Sequence, residues 1–129
     1  MKKLLALLAA FAVTASTIYA GEFPDISISE VKKLAETKKA VILDVNGSES
    51  YDKGHVPTAL NYEKVSGDLS KVLPKDKNAL IVAYCGGPKC KAYQAAANAA
   101  QKLGYKNVKH MSAGIAGWMQ AGEKTDKGG

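Results

Sequence analysis

The residues of this chain best suited to chemistry are its only two thiols, Cys85 and Cys90, in the segment Tyr84-Cys85-Gly86-Gly87-Pro88-Lys89-Cys90-Lys91. An apolar run, Ala79-Leu80-Ile81-Val82-Ala83, leads into it, and an alanine-rich helical pattern leads out. Cys85 therefore stands where a strand passes through a loop into a helix. Parallel α/β sheets hold reactive groups at such junctions, because strand ends and helix N-termini converge there. Gly86 and Gly87 free the loop to take positive φ and to turn successive N–H groups inward as an anion nest. The positive end of the following helix, with Lys89 and Lys91 beside it, favours a thiolate and draws anionic substrates. Cys85 is the expected nucleophile. A purely structural Cys85–Cys90 disulfide is the alternative that composition leaves open.

The elements that must position this loop read as alternating helices and strands. Ser27-Ile28-Ser29-Glu30 has capping-box spacing, and Val31, Leu34 and Ala35 follow at helical intervals to Thr37-Lys38-Lys39. Ala40 to Val45 is a nearly unbroken apolar run, the pattern of a buried parallel strand ending at Asp44. A short helix over Ser48 to Lys53, a loop at Gly54-His55-Val56-Pro57 and a short strand over Ala59 to Tyr62 come next. Gly67 to Leu73 carries one or two helical turns, and Pro74 to Asn78 is a turn-rich connector. After the cysteine loop a helix runs from about Lys91 to Leu103, with Ala92, Ala95, Ala96, Ala99 and Leu103 as its apolar face and Gly104 past its end. Asn107 to Met111 is a last strand, and Gly114 to Ala121 a last helix with Ile115, Trp118 and Met119 as core. This order predicts one α/β domain with a mostly parallel sheet.

Composition narrows the partners. The chain has 129 residues and a formal net charge of +6, and all 18 of its basic residues are lysine. Pairs such as Lys32-Lys33 and Lys38-Lys39 belong to a solvated helix face, so nucleic-acid binding is not expected. Without arginine, any anion site here works with point charges and backbone amides rather than a guanidinium fork. Lys2 and Lys3, the apolar stretch Leu4 to Val13 and the small-residue stretch Thr14 to Ala20 read as a secretory signal cleaved near Ala20. That apolar stretch is short for a membrane span, so no membrane association is expected beyond export. The expected organisation is a signal at 1–20 and one domain at 21–129, ending in a flexible tail at 123–129. The bacterial periplasm is the expected location, where a disulfide can persist.

Asp44-Val45 closing a strand, Gly54-His55-Val56-Pro57-x-Ala59-x-Asn61, Tyr84-Cys85 opening a loop, Gly104-Tyr105-x-Asn107-Val108 and Gly114-x-x-Gly117-Trp118-x-x-x-Gly122 together resemble the single-domain rhodanese pattern, in order along nearly the whole chain after Ala20. The resemblance implies an α/β three-layer sandwich with a central, mostly parallel sheet of about five strands flanked by helices. It also implies sulfurtransferase chemistry through a persulfide on Cys85, with a small anionic donor such as thiosulfate or polysulfide and a thiol or cyanide-like acceptor. Backbone amides of Gly86, Gly87, Lys89, Cys90 and Lys91 would cradle the sulfur, Pro88 having no N–H. No cofactor is implied. The chain departs from the pattern at Asp44-Val45-Asn46, where many members have Asp-x-Arg, and at Cys90, where many have arginine or another polar residue. A weaker anion clamp disfavours compact thiosulfate more than a longer polysulfide.

Around that core several assignments stay open. Cys90 is a resolving thiol that attacks sulfur-loaded or oxidised Cys85, or a permanent bridge partner, or a spectator at the helix start. No further ligands at recognisable spacing complete a metal site. Asp44 is expected to hold loop amides rather than to move protons, and His55 to be structural, since an amide-stabilised thiolate needs no base. His110 reads as packing or surface, and Tyr84 and Tyr93 can border the pocket. Two other functions compete with sulfur transfer: an exported dithiol-disulfide redox protein using Cys85 and Cys90, and a non-catalytic binding domain of the same shape.

Overall fold

The computed structural model describes residues 23–129, so the expected signal segment lies outside the described residues. Strands β1 (Ala40–Asp44), β2 (Leu60–Asn61), β3 (Leu80–Tyr84) and β4 (Asn107–His110) form one sheet in the order β2-β1-β3-β4, with every pairing parallel. The helices are α1 (Ile28–Thr37), α2 (Ser48–Lys53), α3 (Tyr62–Val65), α4 (Leu69–Val72), α5 (Tyr93–Lys102) and α6 (Gly114–Gln120), with a 3-10 turn at Ser66–Asp68. Ser27 caps α1 as its spacing predicts, its hydroxyl accepting the Glu30 N–H at 3.2 Å.

Strand period 2 sorts the side chains into two apolar layers. Leu43, Ile81, Ala83 and Cys85 face α5 and α4, where Ala96, Ala97, Ala100, Leu69 and Tyr105 complete one core. Ile42, Val82 and Tyr84 face the other way, against Val31, Ala35 and Trp118 of α1 and α6. The result is the expected helix–sheet–helix sandwich. The small alanines of α5 let its backbone approach the sheet closely.

Among the described residues the sheet has four strands, against the expected number of about five. Pro24–Ile26 reaches the edge but makes a single bridge, with the His110 N–H on Pro24 O (2.8 Å) and the Ile26 N–H on His110 O (2.9 Å). Proline has no N–H to extend the ladder, and the cap at Ser27 turns the chain into α1 at once. On α5 the buried residues are Tyr93, Ala96, Ala97 and Ala100, a face rotated from the expected one and set by the bulk of Tyr93. Met119, expected in the core, is 59% exposed, while Trp118 beside it is buried.

The segment 123–129, expected to be a flexible tail, is laid back onto the domain. Its Lys124 O accepts the Trp118 indole N–H (2.9 Å), Asp126 and His55 exchange both backbone hydrogen bonds (2.9 Å each), and the Gly128 N–H reaches Asp52 O (3.0 Å). His55 and Asp52 are more than seventy residues away along the chain, which local composition does not reveal. Among the described residues no helix is long and apolar enough to cross a membrane.

Candidate active site

The chain places β2 on one side of β1 and then crosses to β3 on the other, so the sheet has a switch point between β1 and β3. Parallel sheets open a crevice beyond the strand C-termini at such a point. Asp44 pairs with Tyr84 across it, and the residues that follow, Val45-Asn46 and Cys85-Gly86, form its two lips.

Cys85 and Cys90 are joined as a disulfide, with their Cα atoms 6.2 Å apart. Neither sulfur titrates in this state. Of the states that composition left open, the structure holds the paired one: the sulfur of Cys85, the expected nucleophile, is bonded to that of Cys90. Cys85 is only 1% exposed, walled by the core that includes Tyr93 and Ala96, whereas Cys90 is half-buried. Pro88 suits the second position of the turn Gly87-Pro88-Lys89-Cys90, closed by the Cys90 N–H on Gly87 O (3.1 Å). The Cys90 amide is thus spent on the turn rather than pointed at sulfur. Lys89 and Lys91 are exposed on either side of Cys90. The helix expected from Lys91 begins at Tyr93.

The loop is anchored from the opposite face of the sheet. The first-turn amides of α6 donate into it, Ile115 N–H to Cys85 O (2.9 Å) and Ala116 N–H to Gly86 O (3.0 Å), which satisfies donors a helix start otherwise leaves orphaned. A trans peptide sets its N–H opposite its C=O. The Gly86 and Gly87 amides therefore point away from α6, toward the side that carries Cys85. That orientation does not use the positive φ expected at Gly86 and Gly87; Gly114, which packs against them, is left-handed (φ 63°). A Cβ on Gly114 would lie 2.6 Å from Gly86 C, Gly86 O and Gly87 N, so a side chain there is excluded by the loop's own backbone.

Asp44 is buried, and its Oδ1 accepts the Asn46 N–H (2.8 Å) while its Oδ2 accepts the Tyr84 hydroxyl (2.6 Å). The Tyr84 hydroxyl oxygen also accepts the Val56 N–H (3.0 Å), tying the 54–57 loop to the end of β1. Burial, reinforced by the Asp44 charge, pushes the Tyr84 phenol far above its usual range, so it stays a hydrogen-bond donor. Tyr84 packs in the apolar layer on the opposite side of the sheet from Cys85. His55 is buried with its ring stacked on Tyr51 (3.6 Å) and Nδ1 on Tyr51 O (2.7 Å), a structural setting.

Sequence reading missed three features. Asn46 Nδ2 is buried without a hydrogen-bond partner, and its amide lies beside Gly86, whose Cβ position is 3.8 Å from Asn46 Oδ1. His110 stacks on Tyr93 at 3.4 Å, with Nε2 buried and unpartnered. Burial depresses the His110 imidazole below its ordinary value, against the opposing pull of Asp25. The third is the packing of Gly114 on the cysteine loop, for which the Gly114-x-x-Gly117-Trp118 pattern was a signal without a stated reason.

A parallel α/β sandwich with a cysteine pair closing the loop at its switch point defines a class of small thiol-bearing domains. The family model of the rhodanese-like domain matches residues 27–121, and the chain belongs to that family. It is 30% identical over 122 residues to the uncharacterized protein YibN of Escherichia coli K12, covering 92% of this chain and 82% of that protein. It is 31% identical over 122 residues to the HTH-type transcriptional regulator Rv0324 of Mycobacterium tuberculosis, covering 94% of this chain. The chain spans only about half of that regulator, 53% of its length. Among solved structures, the rhodanese-like domain of the Anabaena sp. Alr3790 protein superposes with a TM-score of 0.65 at 25% identity, covering 82% of this chain and 80% of that one.

Proposed function

We propose that this protein is a sulfur carrier and sulfurtransferase whose reduced form holds sulfane sulfur as a persulfide on Cys85. The reading rests on one observation: the cysteine of this rhodanese-like domain sits at the switch point, on the side to which the Gly86 and Gly87 amides point. The Cys85 thiolate attacks the outer sulfur of a hydropolysulfide, an S–S bond breaks, and Cys85 keeps one sulfur while the shortened hydropolysulfide leaves. An acceptor thiolate, or cyanide, then attacks the outer sulfur of the persulfide and frees the Cys85 thiolate. When Cys90 attacks the inner sulfur instead, hydrosulfide leaves and the Cys85–Cys90 disulfide closes.

Polysulfide is the proposed donor class, ahead of thiosulfate. The chain contains no arginine, and the buried group beside the loop is the neutral Asn46 amide, which suits a diffuse sulfur anion better than a compact sulfonate. Export to the bacterial periplasm is proposed from the N-terminal pattern, and an oxidising compartment is one in which the disulfide persists. A second reading, favoured by the disulfide itself, is a dithiol-disulfide redox protein that carries no sulfur.

Intact mass separates the two. The reduced full chain incubated with polysulfide should gain one sulfur atom, cyanide should remove it as thiocyanate, and thiosulfate should load it more slowly. Cys85→Ser should abolish retention. A wild-type protein that gains no sulfur from either donor, or a Cys85→Ser protein that retains it equally, refutes the carrier reading.

A further inference from the structure

The disulfide is an oxidising equivalent stored inside the site, and its two sulfurs are not equally placed. We propose a further activity: the oxidised protein takes up hydrosulfide and converts it into transferable sulfane sulfur, using its own Cys85–Cys90 bond as the oxidant. This rests on the persulfide reading above.

Two observations choose the point of attack. Cys85 is 1% exposed and closed in by the α5 core, so a nucleophile from solvent cannot approach it along the S–S axis; Cys90 is half-buried, with exposed Lys89 and Lys91 on either side to draw an anion. The leaving group also favours this direction, because thiol–disulfide exchange is faster when the departing sulfur is the better-stabilised thiolate. Cys85 departs on the side of the loop to which the Gly86 and Gly87 amides point. A partly buried sulfur further favours the smallest nucleophile. Hydrosulfide has one heavy atom and no substituent to clash with the loop, in contrast to glutathione or a protein thiol.

The chemistry balances within the site. Hydrosulfide attacks Cys90 Sγ; the Cys85–Cys90 S–S bond breaks and a new S–S bond forms, giving a persulfide on Cys90 and a Cys85 thiolate. That thiolate attacks the outer sulfur of the new persulfide, giving a persulfide on Cys85 and a Cys90 thiolate. The two electrons lost by sulfide reduce the disulfide, the proton stays on the transferred sulfur, and no other oxidant enters. The uptake is one sulfur per oxidised chain. Its net reaction is the reverse of the discharge that frees hydrosulfide from loaded Cys85, so sulfide concentration sets the direction, while the route through Cys90 Sγ is the one the burial of Cys85 selects.

The test uses the oxidised full chain under anaerobic conditions with sodium hydrosulfide. The intact mass should rise by one molecule of hydrogen sulfide, cyanide should then release one equivalent of thiocyanate per chain, and alkylation at the earliest time should find the extra sulfur on the Cys90 peptide. Reduced protein given hydrosulfide should gain nothing. An oxidised chain that emerges as a plain dithiol, heavier only by two hydrogens, or that does not react, overturns the proposal, and so does uptake by the reduced chain. Sulfur appearing first on Cys85 overturns the assigned point of attack. Reduced protein given polysulfide is the separating arm: loading there without uptake of hydrosulfide refutes this inference alone, and failure there refutes the persulfide reading.

Discussion

Gly114→Ala tests whether the cysteine loop is shaped from behind by α6. Gly114 has φ 63°, and a Cβ there would stand 2.6 Å from three backbone atoms of the Gly86–Gly87 peptide. The left-handed conformation costs an alanine about 1 kcal/mol. The contact falls roughly 1 Å short of an ordinary carbon–carbon separation and meets backbone, which no rotamer change relieves, so overpacking adds about 1–3 kcal/mol. Shifting the loop also strains the Ile115 and Ala116 hydrogen bonds to Cys85 O and Gly86 O, worth about 1 kcal/mol each. Gly122→Ala is the matched control, with φ 74° and nothing within 4 Å of its Cβ position, so only the conformational term applies. Urea unfolding of the oxidised proteins should find Gly114→Ala less stable than Gly122→Ala by about 2–3 kcal/mol, or roughly 10 °C in Tm for a domain of this size. Sulfur loading of the reduced protein should fall in Gly114→Ala and stay normal in Gly122→Ala. If the two variants unfold within about 0.5 kcal/mol of each other, the close-approach argument is wrong.

Other expectations follow from the same contacts. Tyr84→Phe leaves the buried Asp44 Oδ2 and the Val56 N–H without the hydroxyl that joins them, and should cost about 2–4 kcal/mol in urea unfolding; a loss below about 0.5 kcal/mol would show that the bridge contributes nothing. Removing residues 124–129 deletes the partners of Trp118, His55 and Asp52, so stability should drop by about 1–3 kcal/mol and tryptophan fluorescence should shift to the red; an unchanged spectrum and midpoint would mean the tail is not held in solution. His110 is depressed below 6.5 by burial, so between its folded value and 6.5 the unfolded chain binds more protons. Its contribution is complete above 6.5 and is lost as pH falls below it, and His110→Gln should flatten that slope in urea midpoints. Asp25 adds a separate loss at lower pH: burial acts to raise its carboxyl, but the Ser112 hydrogen bonds prevail and hold it below 3.8. Midpoints that fall equally in wild type and His110→Gln over the upper window would rule out His110 as the source.

What could be read from the amino-acid order was what neighbours along the chain decide. The cap at Ser27, the buried runs of β1 and β3, and the period-2 alternation that puts Cys85 on one face all rest on local spacing. The order of helices and strands was enough for the sandwich, and the cysteine loop announced itself by glycines between a strand and a helix. Only the tertiary structure decided the state and orientation of that loop. The closed wall over Cys85, the α6 amides that turn the loop peptides, and the need for glycine at position 114 arise from atoms brought together across the sheet, while the pairing of Cys85 with Cys90, five residues apart, depends on how the fold bends the loop between them. Helix α5 shows the same division: its many alanines satisfy more than one apolar face, and the bulk of Tyr93 against the core selects one. Local spacing constrains backbone conformation residue by residue. Which buried groups meet, and which sulfur faces solvent, depends on long-range packing that a linear pattern does not encode.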